Sequence, residues 1–249
     1  MAFDTIFFIV LIIIFLSSLI RSTFGFGDAL IAMPLLVMFI DIKIATPVVA
    51  LIACIIASVI LFYNWGKIDF RRIYTLIIFS IIGIPIGLIY LKDTNDFIIK
   101  IILAISIISF SVYKLFDLDK LQLKTDKSSF LFGIIAGILG GAYNTNGPPI
   151  IIYGTLRKWE SEKFRDMLQG IFLPTNIFIV AGHGIAGLWT KEVFIYFLWS
   201  LPVVIIGIIL GNKLNKIIPA EKFNKYIHII LIIIGIVLLV NTFTSHLKN

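Results

Sequence analysis

The stretch FLFGIIAGILGGAYNTNGPPIIIYGTL, residues 130–156, decides how the rest of the chain is read. It is apolar enough for the interior of a bilayer, yet Asn144-Thr145-Asn146-Gly147 followed by Pro148 and Pro149 interrupts it. Its arms, Phe130 to Tyr143 and Pro148 to Leu156, would be roughly 21 and 14 Å long as helices, short of a ~30 Å hydrocarbon crossing. Both flanks are basic. The segment Tyr113 to Ser129 carries Lys114, Lys120, Lys124 and Lys127, and Arg157 to Arg165 carries Arg157, Lys158, Lys163 and Arg165. Positive loops collect on the cytoplasmic side, so a segment with two basic flanks enters and returns on that side. The spacing predicts a hairpin that turns inside the membrane.

Composition supports the membrane setting. Of 249 residues, 59% are apolar and 14% charged, too little polar surface to coat a water-soluble globule of this size. Thr5 to Ile20, Thr46 to Tyr63, Ile73 to Leu91, Ile98 to Val112, Val193 to Leu210 and Tyr226 to Val240 are further nearly charge-free stretches approaching the ~20 residues of a membrane span. The +7 formal charge does not point to nucleic acid, because the basic residues sit singly in short loops and form no basic helix. Fifteen of the 21 fall in four loops: the two already named, Gly66 to Arg72, and Asn212 to Lys225. These four are expected inside; the connections at Asp41 to Pro47, Lys92 to Phe97 and Gly182 to Thr190, with both termini, are expected outside. Met1 to Asp4 carry no basic n-region ahead of the first apolar segment, which is read as a retained helix of a multi-pass cell-membrane protein. Trp65, Trp189, Tyr63 and Tyr74 fall near span ends, as interfacial anchors do.

A second interrupted segment runs from Thr5 to Ile40, broken at Arg21 to Asp28 and flanked by weakly charged sequence, and predicts a second hairpin. The two segments align. Gly25-Phe26-Gly27-Asp28 and the following Ala29-Leu30-Ile31-Ala32 match Asn144-Thr145-Asn146-Gly147 and Pro148-Pro149-Ile150-Ile151 at an offset of 119. Gly83-x-x-x-Gly87 matches Gly207-x-x-x-Gly211 at an offset of 124. The expected fold is therefore an all-α polytopic membrane protein of about eight to ten hydrophobic segments. It has two inverted-topology repeats, each a broken-helix hairpin plus three transmembrane helices, in one membrane domain. The expected boundaries are 1–116 for the first repeat, 117–129 for a cytoplasmic linker and 130–249 for the second repeat. Opposed halves of this kind are the architecture of secondary transporters. Gly-x-x-x-Gly alone is common wherever membrane helices pack, so the charge pattern is the independent support.

Non-helical backbone at membrane depth is tolerated only where protein or a water-lined cavity satisfies it, so two matched breaks point to a site between them. Proline suits the first helical turn, and Gly147 and Pro148 mark a helix whose positive end aims inward, with donors from Asn144, Thr145 and Asn146 beside it. That is an anion receptor. In the first break, Gly25 and Gly27 allow positive φ or close backbone approach. Asp28 has two readings: N-cap of a helix reaching Met38, or a group that is protonated and carries coupling protons. Arg21 either attracts the anion or snorkels to the interface. Gln169, Thr175 and Asn176 lie within two helical turns and face either the cavity or a neighbouring helix.

These residues resemble a known family. Ser22-Thr23-Phe24-Gly25-Phe26-Gly27-Asp28 leading to Pro34-Leu35-Leu36, and Gly133 through Gly141 leading to Asn146-Gly147-Pro148-Pro149, are similar to the paired glycine-rich motifs of sulfite exporter TauE/SafE family permeases. Lys163-Phe164-Arg165 with Asn176 beyond resembles the Phe-Arg signature that follows the second motif. The resemblance implies export or uptake of small sulfur-containing anions and organic acids, such as sulfite and sulfonates. Tyr143-Asn144-Thr145-Asn146 departs from the more glycine-rich second motif.

The function expected is a secondary transporter, in the exporting direction, of small anions by alternating access, with protons or Na+ as the coupling ions of such a carrier. A passive anion channel fits the same breaks, as does a carrier of another small organic acid. An intramembrane enzyme needs converging nucleophile, base or metal ligands, and the polar spans offer only amides and hydroxyls. His183, placed near the outer surface, and His228 have no Cys or carboxylate at ligand spacing, and lone Cys54 forms no intramolecular disulfide, so no metal and no cofactor is expected. The expected partners are the anion and the lipid bilayer; homo-oligomerisation is left open.

Overall fold

The computed structural model describes residues 5–64, 70–116, 122–159, 161–215, 217 and 220–248. The regular structure among these residues is all helical, as suits a lipid-embedded backbone in which each N–H and C=O has to find its partner within the protein. Ten α-helices follow one another: α1 Thr5–Phe24, α2 Asp28–Leu36, α3 Ile42–Asn64, α4 Phe70–Asp93, α5 Asp96–Leu115, α6 Ser129–Tyr143, α7 Gly147–Leu156, α8 Ser161–Ile185, α9 Lys191–Asn215 and α10 Ala220–Lys248. Seven of them, all but α2, α6 and α7, are long and apolar enough to cross a membrane. The protein is thus an all-α, multi-pass membrane protein. A hairpin followed by three long helices occurs twice.

The arms of the second hairpin match expectation closely. Helix α6 starts at Ser129, one residue inside the expected linker, after a 3-10 turn at Asp126–Ser128, and α7 starts at Gly147. The first hairpin differs. Its leading arm α1 has 20 residues, enough for a full crossing, and only its return arm α2, with 9, is short. Helix α2 also stops at Leu36 rather than Met38, and a tight turn of Phe39 and Ile40 N–H groups onto the Leu36 carbonyl follows it. Trp65, Lys67, Lys120 and Lys216 lie outside the described residues, as do the side chains of Tyr63 and Lys163. Trp189 and Tyr74 are exposed near helix ends, as anchors would be. His183 is fully buried in the last turn of α8, which continues to Ile185, and neighbouring helices cover the ring.

Packing exchanges elements between the halves. The most extensive contacts are α4 with α6 and α1 with α9, followed by α5 with α10 and α3 with α8. Matching α1 to α6, α3 to α8, α4 to α9 and α5 to α10 leaves this set unchanged. The glycine pairs make two of the contacts. A Cβ on Gly87 would sit 2.1 Å from the Ile138 carbonyl oxygen, and one on Gly137 2.0 Å from that of Ser80, so the α4 and α6 backbones touch. On the other side Gly207 and Gly211 meet Ser18 and Ser22 of α1, where added Cβ atoms would come within 3.0 and 2.6 Å of the serine Cβ atoms. Ser18 and Ser22 are the counterparts of Gly137 and Gly141 at the offset of 119. Close approach of this sort lets dispersion forces hold helices together where lipid removes the hydrophobic drive.

The outer surface is apolar along single helix faces. Phe8 and Ile12 on α1, Ile78, Ile82, Ile86 and Ile89 on α4, and Ile229, Ile233, Ile236 and Val240 on α10 are all exposed, a stripe facing lipid. Helices α3 and α8 are the most enclosed long helices, and α2 and α7 are nearly buried. Ser18, Thr46, Thr155, Ser200 and Thr242 satisfy their hydroxyls on the carbonyl four residues earlier, which lets polar residues live inside the bundle at little cost.

Candidate functional site

Both hairpins turn through the left-handed region at the same aligned position: Gly25 has φ +86° and Asn144 φ +56°. Glycine adopts this conformation freely and asparagine is among the few side chains that tolerate it. Asn144 ends α6 in a C-cap, its N–H on the Gly140 carbonyl at 2.8 Å and the Thr145 N–H on that of Leu139 at 3.3 Å. A second left-handed residue, Gly27 at φ +99°, has no such counterpart in the second hairpin and swings the first chain back to start α2.

The C-terminus of α1 leaves carbonyls that side chains from the second half cover. Arg165 donates from Nη2 to the Ser22 carbonyl at 2.7 Å and to Asn212 Oδ1 at 3.2 Å, and its methylenes lie against Gly25. Asn215 donates to the Thr23 carbonyl, and Gln169 Nε2 to that of Gly25 at 2.5 Å. Helix ends carry four such orphan carbonyls, and in lipid each unmet one costs several kcal/mol, roughly. The four polar side chains therefore fix the first break against α8 and α9.

Arg21 is 3% exposed, so snorkelling is excluded. Its Nη1 donates to Asp28 Oδ2 at 2.5 Å, its Nη2 to Gln169 Oε1 at 3.2 Å, and its guanidinium lies 5.3 Å from the centre of the Phe172 ring. Asp28 is accordingly not the N-cap. Gly27 holds that position with no side-chain cap, and the carboxylate belongs to the ion pair, because the two left-handed glycines fold the start of α2 back beside Arg21.

Arg21, Gly27, Asp28, Asn144, Thr145, Asn146, Gly147 and Pro148 line one small cavity with Phe172, with room of about 10 Å³, that of a single water. The two breaks thus face each other. Asn146 Nδ2 is held by Thr175 Oγ1 at 3.1 Å. Among the described residues Arg21 Nε, Asn144 Oδ1 and Asn176 Oδ1 are buried without a hydrogen-bond partner. Gly25 lies beneath Arg165 and Asn176 lies elsewhere on α8, so neither lines the cavity, while Gln169 reaches it through Arg21. Pro148 and Pro149 have no N–H, so the start of α7 offers only the Asn146 and Gly147 donors; α2 begins without proline and offers four, from Gly27 to Leu30. The donor-rich helix end is thus in the first hairpin, not the second.

Phe172, Arg165, Asn212 and Asn215 were not expected in the site. Arg165, Gln169 and Phe172 follow at spacings of four and three along α8, one helix face, and that periodicity is the signal that links them. No group of three or more potential metal ligands occurs among the described residues.

A multi-pass helical bundle with two facing helix breaks around a buried guanidinium belongs among membrane proteins that handle polar solutes inside the bilayer. The profile described as "Sulfite exporter TauE/SafE" matches residues 10–238, and the chain belongs to this family of membrane transporters. No curated protein and no solved structure matches the chain.

Proposed function

We propose that the protein is a secondary transporter of small sulfur-containing anions, sulfite or sulfonates, which bind between the two breaks and are exposed alternately to either side. The observation that carries this reading is Arg21: a guanidinium 3% exposed, at the meeting point of two helix breaks, flanked by the α2 and α7 N-termini. A buried cation is costly unless compensated, and intramembrane charges of this kind mark solute pathways. Asp28 compensates it here. The cavity is too small for an oxyanion, as a closed intermediate between two open states would be. The halves are read as inverted repeats with the basic loops inside and both termini outside the cell membrane, and the family supports export of sulfur anions.

Flux of sulfite and of a sulfonate into proteoliposomes tests the reading. Arg21→Lys keeps a charge but loses the fork that holds two partners, and the loss of one charge-assisted bond of about 1.5–3 kcal/mol lowers saturable flux at least about tenfold. Asn146→Ala lowers it too. Unchanged flux in both variants would sink the site assignment, and flux that neither saturates nor shows counterflow would make the protein a channel.

A further inference from the structure

We infer that the carrier moves a monovalent anion together with one proton, because Asp28 is a tethered stand-in for the cargo and has to be neutralised when the cargo takes its place. This rests on the anion site proposed above. Arg21 Nη1 lies 2.5 Å from Asp28 Oδ2, with side chains 3% and 11% exposed, and the cavity beside them holds about one water. An anion that reaches the guanidinium therefore displaces the carboxylate.

The charges around the pair are few. On α8, Arg165 turns its guanidinium to Ser22 and Asn212, and Asp166 is buried one residue further on. On α3, Cys54 lies within electrostatic reach of Arg21. On α10, His228 lines a separate apolar cavity on the other side of Gly27 and Leu30, with Lys114 of α5 within electrostatic reach of its ring. Lys100 of α5 sits by Val37 and Met38, beyond the far end of α2. The second break contributes only neutral groups, Asn144 to Pro148. Among the residues lining the cavity, Arg21 is the only cation and Asp28 the only anion.

The resting site is thus neutral. A monoanion beside an ionised Asp28 makes it negative; a monoanion beside a protonated Asp28 leaves it neutral. Like-charge repulsion at about 4 Å and an effective dielectric of about 20 corresponds to about a thousandfold in affinity, so the neutral combination wins. On loading, a proton passes from water to an Asp28 carboxylate oxygen, the Arg21–Asp28 ion pair breaks and an Arg21–anion pair forms. On release the anion leaves, the proton returns to water on that side and the ion pair re-forms. A dianion carries one charge too many even with Asp28 protonated, so the site discriminates against it.

Methanesulfonate, ionised throughout the working pH range, tests this because it cannot carry the proton itself. In proteoliposomes of the full chain, an acidic exterior should drive its accumulation, with the lumen acidifying by one proton per anion and sulfate excluded at least about a hundredfold. In Asp28→Asn, pH-driven accumulation should fall at least about tenfold and the remaining flux should lose its dependence on external pH. Accumulation without proton movement in the wild type, or an Asp28→Asn variant that still follows the pH gradient, overturns the coupling. If Asp28→Asn does not fold, proton uptake by the purified wild type on adding methanesulfonate in weak buffer decides: one per anion supports the inference and none overturns it. Arg21-dependent flux without protons removes only the coupling, whereas unchanged flux in both Arg21→Lys and Asn146→Ala removes the anion site itself. Absence of methanesulfonate flux beside sulfite flux overturns the monoanion rule.

Discussion

Gly25 and Asn144 occupy equivalent places, and the difference between them sets what each tolerates. A methyl at Gly25 would meet the Arg165 Cγ at 2.5 Å and place alanine at φ +86°, whereas Asn144 already carries its side chain at φ +56°. A left-handed L-residue costs about 1–2 kcal/mol. Gly25→Ala should therefore lower the melting temperature in detergent and loosen the Arg165 cap, while Asn144→Gly should melt near the wild type. Equal melting of the two variants would contradict the backbone account. The need for left-handed backbone is legible in the Gly25-Phe26-Gly27 sequence. The Arg21–Asp28 pair is not, because residues seven apart on an uninterrupted helix make no such contact and only the double glycine turn brings them together. Gln169, 148 residues from Arg21, is beyond any local pattern.

At the scale of elements, the arms of the second hairpin could be read almost to the residue because proline and charge mark their ends, but the full length of α1 and the partners of the glycine pairs could not. Gly-x-x-x-Gly says that a helix packs closely and leaves open against which neighbour. The structure gives α4 to α6 and α9 to α1, with unequal closeness. At Gly87 an added methyl strikes the Ile138 backbone, whereas at Gly207 its nearest atom is the Ser18 Cβ at 3.0 Å. Gly87→Ala is expected to cost about 1–3 kcal/mol or more, as overpacking against backbone does, and Gly207→Ala distinctly less. Unfolding of the two variants in mixed micelles measures the order, and a larger effect at Gly207 would mean that α1 and α9 are the tighter pair.

The whole molecule poses the question of sidedness, and the length of α1 sharpens it. Helix α1 runs parallel to α9, with Phe7 stacked on Tyr196 at 5.8 Å near one end and Ser22 against Gly211 near the other. Its N-terminus therefore shares a side with Lys191, and its break lies toward the Asn212 end of α9. Helix α5 is antiparallel to α10, with Phe97 against Phe243 at 5.4 Å and Phe110 against His228 at 5.4 Å, so the start of α5 and the tail of α10 share a side too. These contacts place Thr94 and Thr244 at one end of the molecule. The orientation proposed above puts Lys124, Lys127, Arg157 and the α9 end at Lys213 inside, on the expectation that the cytoplasmic side holds the excess of Lys and Arg. On a Cys54→Ala background, an impermeant thiol reagent added to intact cells should label Thr94→Cys and Thr244→Cys and leave Lys124→Cys and Lys213→Cys unlabelled until the cells are opened. The reverse pattern would turn the molecule over without altering a single internal contact, and labelling of Thr94→Cys without Thr244→Cys would contradict the antiparallel α5–α10 pair itself.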